Sequence, residues 1–412
     1  MIGRVSVGLG TAIAVAIALA SCTSRPIASP APATAEPTAT AEPTATAEPT
    51  GPGPTPSAVS SPATTGGTGT WTRESSLSSF EVSDLASLDG RIVAAGCVVA
   101  SSDCAAASIA VFESGEWSAS TLDGAPLRLR LASIAASEAG LVAVGHAPGG
   151  DDPTTWRAAA LVSTDGRAWR AAPNQGSFQG RAMRGVAELP GQGWIAVGTT
   201  VTPLTYLGFE TWLSRDGLAW DLIGSLGPIA VAYGVAAFEG GLIAWGTDCL
   251  DVCGPPARAT LWTSTDGRSW TRVPEQPSLA GASVDSVIPT SGGALAVGSV
   301  YDRDGLAQGA VWVTVDGSTW EHTQLPGSAG HQSFRMIEAA DGFVAVGAMI
   351  NGNDTVWRTW YSPDGSSWTR LTGSDVPADR LELVIVTGDV LAVAVDPATD
   401  RGRSYLLRLR IE

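Results

Sequence analysis

From about residue 68 onward, short apolar runs alternate with polar punctuation on a fixed beat. Leu131–Ser137 and Leu141–Gly145 are apolar runs separated by Glu138-Ala-Gly140. A polar loop follows, then Arg157–Ser163, a tight Asp165-Gly166 turn and Ala168–Ala172. Runs of this length, bounded by Gly, Asp and Ser, predict strands, four to a unit. No long apolar stripe of period 3.6 with caps occurs past residue 68, so helices are not expected there.

The unit repeats about every fifty residues. Its second strand reads Val93-Ala-Ala-Gly96, Val142-Ala-Val-Gly145, Ile195-Ala-Val-Gly198, Ile243-Ala-Trp-Gly246, Leu295-Ala-Val-Gly298, Val344-Ala-Val-Gly347 and Leu391-Ala-Val-Ala394. Its later turn reads Ser-x-Asp-Gly-x-x-Trp, with Asp165 and Trp169, Asp216 and Trp220, Asp266 and Trp270, Asp364 and Trp368, and, with Thr314 in place of Ser, Asp316 and Trp320. Repetition at this period means stacked units that bury apolar faces against their neighbours. Asp-Gly between two strands is a hairpin signal, because Gly reaches positive φ without steric cost. Ser and Asp side chains can bond the turn's own amides, and the Trp supplies apolar surface to a neighbouring strand.

This turn phrase resembles a shortened Asp-box, the bacterial neuraminidase repeat, over residues 68 to 412. The resemblance implies a β-propeller. It also implies a choice of functions, since Asp-box proteins include both sialidases and binding propellers.

Six units run from the second-strand phrase to a Trp, at 117, 169, 220, 270, 320 and 368. The seventh phrase, ending at Ala394, has no Trp after it, and an orphan Trp71 stands at the front. The expected repair is that Thr70–Glu74 forms the outer strand of the last blade. Arg380–Asp396 and Ser404–Ile411 then supply its other three strands, and an all-β seven-bladed ring of four-stranded blades closes. In the first unit Phe112–Trp117 keeps the Gly and Trp but lacks the aspartate, so a different turn is expected there.

Residues 1–22 have the shape of a secretory signal: Arg4, an apolar stretch Val5–Ala20, then Leu19-Ala-Ser-Cys22. The last four resemble a bacterial lipobox, which implies lipid attachment at Cys22 and an extracytoplasmic, membrane-anchored protein. Residues 23–67 repeat Thr-Ala-Glu-Pro, and proline at this density favours extended, solvated chain, a stalk. The propeller occupies 68–412. Formal charge is −16, which argues against nucleic acid as a partner. All 24 basic residues are arginine, which excludes lysine chemistry. Cys97 and Cys104 flank one loop, Cys249 and Cys253 another, at the same place in their units; in an exported chain two local disulfides are expected. No metal ligand set, no cofactor and a monomer are expected.

Two sets of residues are candidates for function. Loops between second and third strands carry aromatics beside carboxylates: Asp151, Asp152 and Trp156; Tyr206 and Phe209; Asp248 and Asp251; Tyr301, Asp302 and Asp304; Asp354 and Trp357; Asp396 and Asp400. Alignment of the innermost strands on the Val-Ala-Val-Gly phrase gives one polar column, Ser83, Ala132, Arg184, Tyr233, Asp285, Arg335 and Glu382, near the mouth of the ring. Arg184, Tyr233, Asp285, Arg335 and Glu382 form either a ligand pocket or a structural ion-pair ring. The expected function is a ligand-binding or protein-interaction module for an unidentified protein, peptide or glycan. The alternatives are a sialidase-like glycosidase, which would use those Arg, Tyr, Glu and Asp groups, and a scaffold for a membrane complex.

Overall fold

The computed structural model describes residues 67–412 apart from 101–102, 127, 150–154, 202–205, 227–229, 249–257, 352–353 and 397–402; the side chains of 100, 103, 104, 206, 207, 230, 248 and 351 are also not described. The signal, Cys22 and the stalk to residue 66 therefore lie outside the described residues, as do Cys249 and Cys253.

Seven sheets form a seven-bladed propeller. The inner strands, in order, are Phe80–Leu88, Arg130–Ser137, Arg181–Leu189, Ala230–Phe238, Ala282–Thr290, His331–Ala339 and Arg380–Val386. The last blade closes as the orphan Trp71 predicts. Gly69–Ser78 pairs antiparallel with Arg403–Ile411, with Gly69 opposite Ile411 and Ser78 opposite Arg403. Trp71 Nε1 donates to Thr359 Oγ1 of the sixth blade at 3.0 Å, and the Arg73 guanidinium lies 3.4 Å from the Tyr405 ring centroid.

The repeated turn works as its residues suggest. Ser163 Oγ accepts the Gly166 amide at 2.9 Å, and Asp165 Oδ1 accepts those of Arg167 and Ala168 at 2.8 and 3.1 Å. Trp169 Nε1 donates back to the Gly166 carbonyl, and its ring joins a core with Val93, Ile109 and Val111 of the preceding blade. Gly166 has φ +76, and a Cβ there would lie 2.9 Å from Val93. The glycine is thus required by both the turn and the blade-to-blade contact. The first blade replaces this turn with Ser114-Gly115, both at positive φ. One element is new: Thr121–Asp123, leaving the first blade, adds a parallel strand to the outer edge of the second.

The glycine ending the second-strand phrase has a separate cause. In the first five blades the inner strand carries a β-bulge opposite it, between Val82 and Asp84, Leu131 and Ser133, Met183 and Gly185, Ala232 and Gly234, and Val284 and Ser286. The bulge folds a backbone carbonyl over the glycine. A Cβ on Gly298 would stand 1.9 Å from the Ser283 oxygen, and one on Gly145 1.9 Å from that of Arg130. The seventh blade has Ala394 here and its inner strand runs without a bulge. Gly298→Ala is therefore expected to destabilise by about 3 kcal/mol or more, since only backbone can move out of the way, whereas Ala394→Gly costs about 1 kcal/mol. Urea denaturation of both variants checks this; equal losses would refute it.

Of the cysteines, Cys97 is buried in its strand, and the ladder sets Cys104 opposite Val99 on the adjacent strand, two positions along. The Cys104 side chain lies outside the description.

Candidate functional site

Antiparallel order puts the start of each inner strand, the end of each second strand and the blade-to-blade connections on one face, here the mouth face. The predicted column lies on the inner strands near that face, but the bulges split its phase. Ser83, Ala132, Arg184, Tyr233 and Asp285 are bulged residues. Arg335 and Glu382 pair with Val346 and Val393, and so occupy the place that Asp84, Ser133, Gly185, Gly234 and Ser286 hold elsewhere. Asp84 is the residue the fixed-offset alignment misses.

Four charged groups from four blades converge. Arg335 donates from Nε and Nη2 to both oxygens of Glu382, at 2.7 and 3.1 Å, and from Nη1 to the Phe334 carbonyl. The Glu382 side chain is 7% exposed and that of Arg335 33%. Asp285 Oδ2 accepts the Phe334 amide at 2.9 Å, and Asp84 Oδ2 accepts that of Ile134 at 2.9 Å. Each aspartate thus ties its own blade to the next. Arg380 adds a bond to the Val82 carbonyl, from the seventh blade to the first.

Charge in this cluster is unbalanced, with Asp84, Asp285 and Glu382 around Arg335. Burial, then the nearby Glu382 charge, pushes Asp84 up to about 6; burial also raises Asp285 to about 6, against the Phe334 amide and Arg335. Both aspartates are half-buried. Glu382, and more weakly Asp285 and Asp84, hold Arg335 above its ordinary range. Tyr301 is raised by burial, then by Asp285 and Tyr233.

The sign of the pH dependence follows. A carboxyl raised from 3.8 to about 6 makes the folded state hold protons more tightly, so its contribution is favourable below 3.8 and is lost as pH rises through 6. The turn aspartates act oppositely. Backbone amides lower them, to about 2 for Asp316 and Asp364, so their contribution is present above 3.8 and lost as pH falls through their folded values. Melting temperature should peak between about pH 4 and 5. Asp84→Asn with Asp285→Asn should remove the decline toward pH 7, on the order of 2 kcal/mol each. Parallel wild-type and variant curves across that range would sink this account.

Several predicted loop residues are structural. Asp302 Oδ1 accepts the amides of Asp304 and Leu306, closing its own loop. Phe209 and Trp357 are buried, and Trp357 bonds the Ala378 carbonyl. Tyr405 donates to Asp396. Trp156 stacks on His146, with centroids 4.6 Å apart at 11°. Burial and then the charges of Arg184 and Arg130 lower His146 to about 3, so its ring is neutral. Asp151, Asp152, Asp251 and Asp400 lie outside the described residues, as do the side chains of Tyr206 and Asp248. Among the described residues no three His, Cys, Asp or Glu are arranged to hold a metal ion.

Four exposed apolar or aromatic side chains lie on the mouth face, while Val315, 76% exposed, lies on the opposite one. Tyr233 is 45% exposed, Leu306 47%, Ile350 51% and Val98 39%. They come from the fourth, fifth, sixth and first blades.

No family model matches the chain, and no curated protein matches it. Solved structures similar to it include phage phi92 endosialidase (11% identity, 84% of this chain and 69% of that one, TM-score 0.49). An ulvan lyase of a polysaccharide lyase family has 11% identity, covering 83% and 96% of the chains, with TM-score 0.45. Trypanosoma rangeli sialidase has 14% identity, covering 81% and 55%, with TM-score 0.45. Resemblance at this level carries no argument about activity.

Proposed function

We propose that the chain is a lipoprotein of the cell envelope, anchored through Cys22 and lifted by its stalk, whose propeller is a protein-interaction module acting through the mouth face. The observation that carries this reading is Tyr233, standing exposed beside a carboxylate-rich ring, with Leu306, Ile350 and Val98 on the same face. Aromatic and apolar side chains over an excess of carboxylate suit a polypeptide segment that pairs apolar groups with Arg or Lys. A sialidase reading needs free arginines around a Tyr–Glu pair, but Arg335 is already bidentate with Glu382.

The test is photo-crosslinking in intact cells from probes at Tyr233, Leu306 and Ile350, with Val315 on the opposite face as control. A discrete adduct from the first three sites, absent from Val315 and lost on Cys22→Ala release, is expected. Equal labelling from both faces, or an unmodified Cys22 in the membrane fraction by mass spectrometry, would overturn the reading.

A further inference from the structure

The outer rim of the second blade, apart from the mouth face, carries a groove whose charge is opposite to that of the chain. A cleft of about 740 Å³ lies along the third strand, Arg157–Ser163, and is walled by Pro126, Pro148 and Pro173. A second hollow of about 370 Å³ shares Ala171 and Pro173 with it and continues to Leu218 and Ala219 in the turn of the third blade. Arg128 and Arg157 line the first part, Arg170 lines the second, and the described lining holds no carboxylate. Arg170 pairs with Val162, five residues along the strand from Arg157, so the two ends of the groove are about 17 Å apart.

These arginines have no acid to answer them. None of the three makes a side-chain hydrogen bond or ion pair among the described residues, and Arg157 Nε is buried without a partner. Asp123 stands opposite Arg170 on the parallel ladder but forms no ion pair with it. Other grouped arginines share acids: Arg91 and Arg167 meet Glu113, and Arg358 and Arg370 meet Asp375. The corresponding groove of the fourth blade, about 530 Å³, also carries its own acid, with Glu275 3.9 Å from Arg258. A partly buried cation without a partner costs stability, and an anionic ligand offsets that cost.

The groove offers a polypeptide no ladder to join. Ala172 donates to the Ala160 carbonyl, Gly180 donates to that of Trp156, and Arg157 bridges to Gln179. This sets Phe178 over Ala158, which is 1% exposed. What remains open is side chains: the arginines, the Asn174 amide and rigid proline surfaces. Such a lining suits a ligand whose carboxylates sit on a hydroxyl-bearing chain. We infer that the groove binds a segment of a linear acidic polysaccharide. Carboxylates of its uronic-acid units meet Arg128 and Arg157 at one end and Arg170 at the other. A single small anion does not reach both ends, so affinity grows with the length of the oligomer.

The probes are oligomers of galacturonic acid, titrated calorimetrically into the full chain at low salt. Saturable binding of the hexamer is expected, with the dimer weaker by about tenfold or more. Arg128→Gln with Arg157→Gln should weaken the hexamer by about tenfold or more. Arg170→Gln should bring the hexamer toward the affinity of the dimer, and Arg258→Gln should change nothing. The methyl-esterified hexamer, the same sugar without its charge, should not bind. Circular dichroism confirms that the variants are folded; if the double variant is not, Arg128→Gln alone, at an exposed position, carries the test. No saturation at millimolar hexamer, binding that survives the arginine substitutions, equal affinity of dimer and hexamer, or an equal loss with Arg258→Gln overturns the proposal. Hexaglutamate binding as tightly as the hexamer would make an acidic polypeptide the occupant and overturn the assignment to a glycan.

Discussion

Removing residues 1–78 is expected to destabilise the propeller by on the order of 5 kcal/mol or more relative to removing residues 1–66, through lost ladder bonds and apolar burial. Gly69–Ser78 is the whole outer strand of the last blade. Its loss bares Arg403–Ile411 as an open edge, removes the bond from Trp71 to Thr359, and uncovers the patch of Val344, Leu371, Val390 and Leu409 against which Trp71 packs. The 67–412 chain should melt cooperatively near the full-length temperature. Coincident melting curves for the two truncations would rule out this closure as a source of stability.

Arg335→Ala is expected to cost about 3–5 kcal/mol, because it leaves the buried Glu382 carboxylate without its bidentate partner. Arg335→Ala with Glu382→Ala should be more stable than Arg335→Ala alone, since the stranded charge is gone. A double-mutant cycle in urea measures this. Additive losses would mean that the pair is not coupled, and would return both groups to candidacy as ligand-binding residues. The geometry therefore divides the predicted column: Arg335, Glu382 and Asp285 brace the ring, whereas Tyr233 is presented outward.

The blade count and closure were legible because they depend on repeated residues with one physical role each. The Trp after each Asp-Gly turn and the orphan Trp71 carry the count. The polar ring was only half legible, because a bulge inserts one residue without any residue type that announces it. Fixed-offset counting consequently found Asp285 and Arg335 but passed over Asp84, one position from Ser83. The bulge does leave an indirect trace, the glycine opposite it, and Ala394 marks the one blade with neither glycine nor bulge. The stacking of His146 on Trp156 and the strand Thr121–Asp123 had no such trace, since each depends on chain that leaves the repeat.

The stitching of the first described residues bears on how the domain withstands pulling. Gly69 donates to the Thr372 carbonyl, Thr372 donates to that of Gly67, and Glu412 donates to that of Thr68. Tension applied at residue 67 thus enters at a junction that joins the connection between the last two blades to the end of the chain. It meets these bonds before it reaches the Gly69–Ser78 ladder. The load is shared between blades before the outer strand of the last blade can be peeled away.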